Sequence, residues 1–348
     1  MTVQEEEPSG ASGAHVARST RKRTRRLPRW VGPTVALVAF ASLTPMAYTL
    51  KLGVVTTLTT VLMFAAVAQG WNLLGGFGGY LNFGMVVFFG TGVYTSAILD
   101  NQLGWSVWTT LPIAGLVAAI LALPVGLATL RLRGHYFAIF TLVITFLMLS
   151  AAANLSITRG ANGLYTTAPV TGTRPIAALF FYAFLALVVV ATALAFVVQH
   201  SNLGYALRAI REDEDAAAVL GVRTTTVKLG ALLLGGAVAG VAGGLYAFQT
   251  GYIEPVGTFS LSTSLDIVLI CVIGGLGTWQ GPLIGAGIVV LLEQWLRTAL
   301  AGFHPFGWEI PVESNRVVLG LLLVLFALYA RRGVVGLFSS ARGRRLSV

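Results

Sequence analysis

Apolar residues fill most of the chain in runs close to the length of a membrane-spanning helix, separated by short polar or glycine-rich joints. A bilayer hydrocarbon core takes about 20 apolar residues per helix. The runs predict spans over residues 30–48, 54–74, 80–99, 107–130, 136–153, 176–198, 229–248, 265–276, 282–300 and 317–330. Several are short or rich in glycine, so the expected fold is an all-α, polytopic transmembrane helical bundle of about 8–10 spanning helices with glycine-broken segments. Residues 1–29 are rich in Ser, Gly, Ala and Arg without apolar periodicity and read as a disordered basic tail. Residues 30–330 form the membrane domain, and 331–348 a second basic tail. The run at 31–48 is longer than the apolar region of a signal peptide and lacks a clear small-residue cleavage site, so a retained first helix is expected.

Composition agrees with that pattern: 56% of the 348 residues are hydrophobic and only 10% charged, against about 25% charged in soluble domains. The net charge of +10 raises nucleic acid as a partner, but its location answers the question. Residues 1–30 contribute seven basic and three acidic side chains, and residues 331–348 five basic and none acidic, so nine of the ten charges lie in the tails. Basic tails beside apolar runs indicate cytoplasmic retention and contact with anionic membrane lipids, not nucleic acid. With the N-terminus inside, Arg131 and Arg133, the segment 200–228, and Arg331 with Arg332 all fall on the cytoplasmic side, while Arg159 and Arg174 are a mild exception outside. Both termini are therefore expected in the cytoplasm. Eight spans with two re-entrant segments keep the same parity. Cys271, the single cysteine, permits no intrachain disulfide or cysteine-based zinc site and reads as packing.

Two stretches interrupt the apolar runs with glycine. The first begins with Gly75, Gly76, Gly78 and Gly79 and continues through Asn82 and Gly84; the second runs through Gly274, Gly275 and Gly277 to Gly287. Unwound backbone at membrane depth is tolerated inside protein or beside a watery cavity, and paired broken helices point to a transporter's path. Gly79, Asn82, Gly84, Gly274, Gly275 and Gly277 are thus candidate path residues. Close helix packing through small residues explains the same glycines equally well. The doubled GxxxG spacing at Gly236, Gly240 and Gly244 reads as packing alone.

The long polar segment within the bundle, residues 200–228, contains a helix-compatible run between Gly204 and Gly221 with Leu203, Leu207, Ile210, Ala217 and Leu220 at spacings of three and four. On its polar face Arg208 and Glu212, and Arg211 and Asp215, lie four apart and are placed to pair. Ala216 and Ala217 belong to a small-residue patch where a partner can dock closely; a solvated helix lying on the bilayer surface is the plainer alternative.

The order DAAAVLG, from Asp215 to Gly221, resembles the EAAxxxG loop of membrane subunits of ATP-binding-cassette (ABC) importers, with Asp215 replacing the usual Glu. GGYLNFGMVVFFGTGVYTSAIL (78–99), LRLRGHYFAIFTL (130–142), TRGANGL (158–164), SNLGYALRAIREDEDAAAVLGV (201–222) and CVIGGLGTWQGPLIGAGIVVLLEQWL (271–296) resemble, in order, blocks of the LivM-type permease subunits of branched-chain amino acid importers. The resemblance implies a multi-pass protein of the bacterial cell (inner) membrane that works by alternating access. It also implies that Arg208, Arg211, Glu212, Asp215, Ala216, Ala217 and Gly221 form the coupling loop to an ATPase. The implied partners are a homologous second permease subunit, two cytoplasmic ATP-binding subunits and an extracytoplasmic solute-binding protein. Related permeases serve branched-chain amino acids, urea, amides or aromatic acids.

The chain has three lysines, Lys22, Lys51 and Lys228, and none follows a glycine, so the Gly-Lys-Ser/Thr phosphate cradle is missing. The expectation is a transport subunit that is not an enzyme and binds no cofactor, with ATP and magnesium on partner ATPases. There is no GxSxG elbow, no HExxH and no His/Cys/Glu cluster at metal-ligand spacing, so neither catalytic nor metal residues are assigned. His135 reads as interfacial. Within the spans, Glu293 and Arg297 lie one turn apart and read as an intramembrane ion pair, and Asp266 sits at the end of its own span. The competing reading is an ion-driven secondary transporter acting without an ATPase, although such a carrier normally holds more buried carboxylates.

Overall fold

The computed structural model describes residues 46–167, 173–301, 320–321 and 333–334. The predicted span 317–330 except residues 320–321, all but the end of 30–48, and nearly all of both tails lie outside the described residues. A short helix α1, Met46–Thr49, leads into α2, Leu52–Gly78, followed by α3, Met85–Leu103, α4, Val107–Thr129, and α5, His135–Asn154. Two single 3-10 turns and a two-residue strand β1, Leu164–Tyr165, precede α6, Arg174–Gln199. Then come α7, Asn202–Glu212, α8, Glu214–Val219, and α9, Thr224–Thr250. The strand β2, Tyr252–Ile253, the short α10, Pro255–Thr258, and the helices α11, Leu261–Gly274, and α12, Gly281–Ala301, complete the described fold. Eight of the predicted spans correspond to α2–α6, α9, α11 and α12.

Among the described residues, six stretches are long and apolar enough to cross a membrane: Leu52–Gly78, Val107–Thr129, His135–Asn154, Arg174–Gln199, Thr224–Thr250 and Pro255–Gly274. The polar run Asp100, Asn101 and Gln102 closes α3, whose length still matches the bundle. Helices α2, α3 and α9 each stop at a glycine in the left-handed region, Gly79, Gly104 and Gly251, whose amide returns to a carbonyl of the last turn.

Helix α9 is the axis of the bundle, packed against α2, α3 and α4. Lipid offers an apolar side chain as good a solvent as another helix does, so backbone approach through small residues must supply the contact. At Gly240 an added methyl group would stand 2.5 Å from Ala118 Cβ and 2.6 Å from the Ala114 carbonyl oxygen. Contacts of Met85 with Gly235, and of Gly92 with Gly240, set α3 parallel to α9, whereas Ala114 at Gly240 and Leu232 at Gly126 set α4 antiparallel. The bundle therefore has two ends. Tyr80, Arg133, α7 and α8 lie at one; the antiparallel pair β1–β2, joined through Leu164 with Ile253 and Tyr165 with Tyr252, lies at the other.

Candidate functional site: a clamped elbow and a glycine seam

The segment predicted as one helix between Gly204 and Gly221 is two helices. Ser201 caps α7 by accepting from the Gly204 amide at 3.4 Å, and Leu207 and Ile210 bury its apolar face. Asp213 then turns extended and accepts from the amides of Asp215 and Ala216 at 2.9 and 3.0 Å, starting α8 afresh. Gly221, at φ +89°, returns the chain toward α9. This break separates Arg211 from Asp215, whereas Arg208 and Glu212 share α7 and Arg208 is engaged elsewhere. Arg208 donates to the carbonyls of Gly204 and Gln199 and lies 4.9 Å from the Tyr205 ring. Arg211 donates to the Gly76 carbonyl at 2.8 Å. Asp215 accepts both bonds from Arg133, at 2.8 and 2.9 Å, while Glu212 faces solvent.

The base of α8 is fixed by a lysine inside an otherwise apolar helix. Lys228, 1% exposed, donates to Glu214 Oε1 at 2.6 Å, to the Tyr80 hydroxyl at 3.0 Å and to the Leu130 carbonyl at 3.0 Å. An ammonium has three donors, and all are used. Tyr80 donates in turn to Glu214 Oε2, and Arg133 stands 3.7 Å from the same carboxylate. Burial alone would raise the Glu214 carboxyl; hydrogen bonds from Lys228 and Tyr80 outweigh it and hold the group below its ordinary value. Burial, reinforced by the bond to Glu214, pushes the Tyr80 phenol up. The Arg133 guanidinium is raised by its bond to Asp215. Ala217 faces inward, while Ala216 and Gly221 are exposed and Val219 and Leu220, at 88% and 84% exposure, project outward.

Beside this elbow the two glycine-broken stretches meet. The Gly277 amide donates to Asn72 Oδ1 at 3.1 Å, Asn72 Nδ2 donates to the Thr278 carbonyl at 2.9 Å, and Gln69 Nε2 donates to the Trp279 carbonyl at 2.7 Å. A methyl group at Gly277, whose φ is +73°, would stand 2.9 Å from both the Gly76 oxygen and Arg211 Nη1. Gly79 lies under the stem of Arg211, Gly274 lies against the Gly281 carbonyl, and Gly275, at φ +130°, joins the two. Asn82 accepts from the Gly84 amide at 2.8 Å and from Trp71 Nε1, through its carbonyl, at 2.6 Å. The space against Asn82 and Gly84 is about 10 Å³, close to that of one water. A larger hollow of about 410 Å³, bordered by Gly79, Arg133, His135 and Glu212, opens under the elbow.

At the far end of the bundle Glu293 and Arg297 pair across one turn of α12, beside a polar cavity of about 610 Å³.

The model of the branched-chain amino acid transport system / permease component family matches residues 53–327. The chain belongs to that family. It is 31% identical over 81% of its length to the high-affinity branched-chain amino acid transport system permease protein LivM of Salmonella typhimurium, covering 70% of that protein. It is 30% identical over 86% of its length to LivM of Escherichia coli K12, covering 74%. The permease protein LivH of Escherichia coli K12 is 30% identical over 41% of this chain and 43% of its own length. No solved structure matches. Family membership and the six membrane-capable helices make this a multi-pass membrane transport protein.

Sequence reasoning passed over Tyr80 and Glu214, and took Arg133 only as an orientation signal and Lys228 only as a lysine without a phosphate cradle. A signal was available: an ionisable group within an apolar run needs a partner, and Lys228 stands four residues into α9.

Proposed function

We propose that the chain is a transmembrane permease subunit of an ABC importer of the bacterial cell (inner) membrane, with α8 the docking element for a cytoplasmic ATPase. One observation carries the reading. A six-residue helix outside the spans presents Val219 and Leu220 to solvent while its base is locked to Lys228, Tyr80 and Arg133. Exposed apolar side chains on a rigid mount form a contact surface. In this reading two ATPase subunits hold the ATP and magnesium, and the chain is not an enzyme and binds no cofactor.

Similarity to both LivM and LivH supports pairing with a homologous second permease subunit, and a solute-binding protein delivers cargo from outside. The names of these relatives support branched-chain amino acids, or a related small polar solute, as cargo. Alternating access follows if the nucleotide state favours one conformation of the elbow over the other. Reconstitution of the purified complex into liposomes tests this: leucine uptake is expected to require ATP and the ATPase subunits. Uptake by this chain without an ATPase, driven by an ion gradient, would overturn it.

A further inference from the structure

Asp213 belongs to both α7 and α8: its amide donates to the Ala209 carbonyl at 3.1 Å, and its carboxylate accepts from Asp215 and Ala216. A displacement of α8 therefore pulls on the last turn of α7, which carries Arg211. With the base of α8 held to α9 by Lys228, a push on Val219 and Leu220 acts about a fixed point.

Arg211 reaches away from α8, into the two glycine-broken stretches, and its seat there is glycine from stem to head. Its Cγ lies 2.8 Å from the place of a methyl group on Gly79. Its Nη1 donates to the Gly76 carbonyl at 2.8 Å and lies 2.9 Å from the place of a methyl group on Gly277. A methyl group on Gly76 would stand 2.8 Å from the Gly277 amide nitrogen, so the two backbones touch directly beside the guanidinium.

The Gly76 carbonyl lies in the last turn of α2, beyond the reach of a further amide of that helix, and the negative end of a helix dipole favours a cation. Capping alone asks for one donor on one carbonyl. Arg211 also abuts Gly277 of the second stretch, whose amide is held by Asn72. A guanidinium stays charged and offers five donors in a rigid fork, whereas an ammonium is a single point charge. Space for displacement lies alongside, since the hollow of about 410 Å³ borders Gly79, Ile210 and Arg211.

We infer that Arg211 is the link between the docking elbow and the glycine seam, a positioning residue through which a shift of α8 changes the packing of Gly76 against Gly277. Coupling between separate sites is carried by contiguous contacts that have two arrangements. Here they run from α8 through Asp213 and Arg211 to the seam. The inference rests on the importer reading for the source of the push, and it separates the residue that transmits from the residues that dock.

The test is amide hydrogen exchange in the complete transporter, wild type and Arg211→Gln, with and without ATP and vanadate to trap nucleotide on the ATPases. In the wild type, trapping is expected to change exchange across residues 274–281 about fivefold or more, the low end of ordinary coupling between sites. In Arg211→Gln the ATPases should still co-purify and still protect α8, while the seam response is lost. Solute imported per ATP hydrolysed should fall with it, and Arg211→Lys should restore part of both. A purely structural role would leave the seam response and the transport per ATP of the assembled complex unchanged, and that result overturns the link. Loss of ATPase co-purification from a folded Arg211→Gln chain also overturns it, by placing Arg211 in the docking surface. Should Arg211→Gln not fold, Arg211→Lys carries the comparison, with a reduced seam response expected and a full one overturning the link. Seam exchange indifferent to trapped nucleotide, in a wild-type complex that imports with ATP, sinks the link and leaves the importer reading intact. A wild-type chain that binds no ATPase would instead sink the importer reading.

Discussion

Lys228 and Glu214 lie 14 residues apart in sequence and 2.6 Å apart in space, one buried in the first turns of α9 and the other at the start of the exposed α8. Their contact fixes a surface element to the axis of the bundle. Removing one partner leaves the other charge buried without compensation, which costs about 3–5 kcal/mol. Lys228→Met is expected to lose stability of that order in denaturant unfolding of the detergent-purified chain. The double variant Lys228→Met with Glu214→Gln should be markedly more stable than Lys228→Met alone. Additive losses would show that the two groups do not depend on each other.

The same pair sets a pH dependence. The folded Glu214 carboxyl lies below its ordinary value of 4.5, so its contribution is complete above that value and is lost as pH falls through the depressed folded value. Amide hydrogen exchange across α8 should therefore stay slow down to about pH 4.5 and accelerate only in more acidic solution. Glu214→Gln should exchange faster at neutral pH and lose that acid step. A step near pH 6 would point to another group.

Val219 and Leu220 separate docking from folding. Exposed as they are, their replacement by Asp should leave unfolding stability within about 0.5 kcal/mol. Co-purification of the ATPase subunits and ATP-dependent uptake should both fall. Unchanged co-purification from both single variants and the double variant would move the docking surface elsewhere.

At the glycine seam, Gly277→Ala forces a side chain into the left-handed region and against the Gly76 carbonyl, at an expected cost of about 1–3 kcal/mol. Gly287→Ala meets nothing within 4 Å and should be neutral or slightly stabilising in the same unfolding measurement, since Ala favours a helix interior over Gly.

Arg211 and Glu212 are adjacent in sequence and differ in consequence. Arg211→Ala removes a donor from the Gly76 carbonyl and should cost about 1–3 kcal/mol. Glu212→Ala, on an exposed side chain, should stay within about 0.5 kcal/mol. Equal losses would place the stabilisation in the α7 helix itself and not in its contact with the seam.

The bundle was legible because apolar length is a strong signal: the predicted 107–130 is Val107–Thr129, and 136–153 is His135–Asn154. The elbow was only half legible. Arg211 and Asp215 have helical spacing, but the Asp213 side chain competes for backbone amides and restarts the helix, which i, i+4 counting ignores. The run of Asp213, Glu214 and Asp215 before three alanines was the available sign of a helix start. The two glycine stretches were visible separately, but their meeting depends on Asn72 and Gln69 reaching across from α2. Likewise the polar cavity is assembled from four helices, and no single one of them carries its pattern.

The clamp beneath α8 limits how far this protein is modular. Its docking helix is held by Tyr80 from the joint after α2, Arg133 from the joint after α4, and Lys228 from α9. A chimera that imports α8 from another permease inherits a plug cut for a different fitting unless these three positions travel with it. The unit that can be exchanged between transporters is therefore the helix together with its mount.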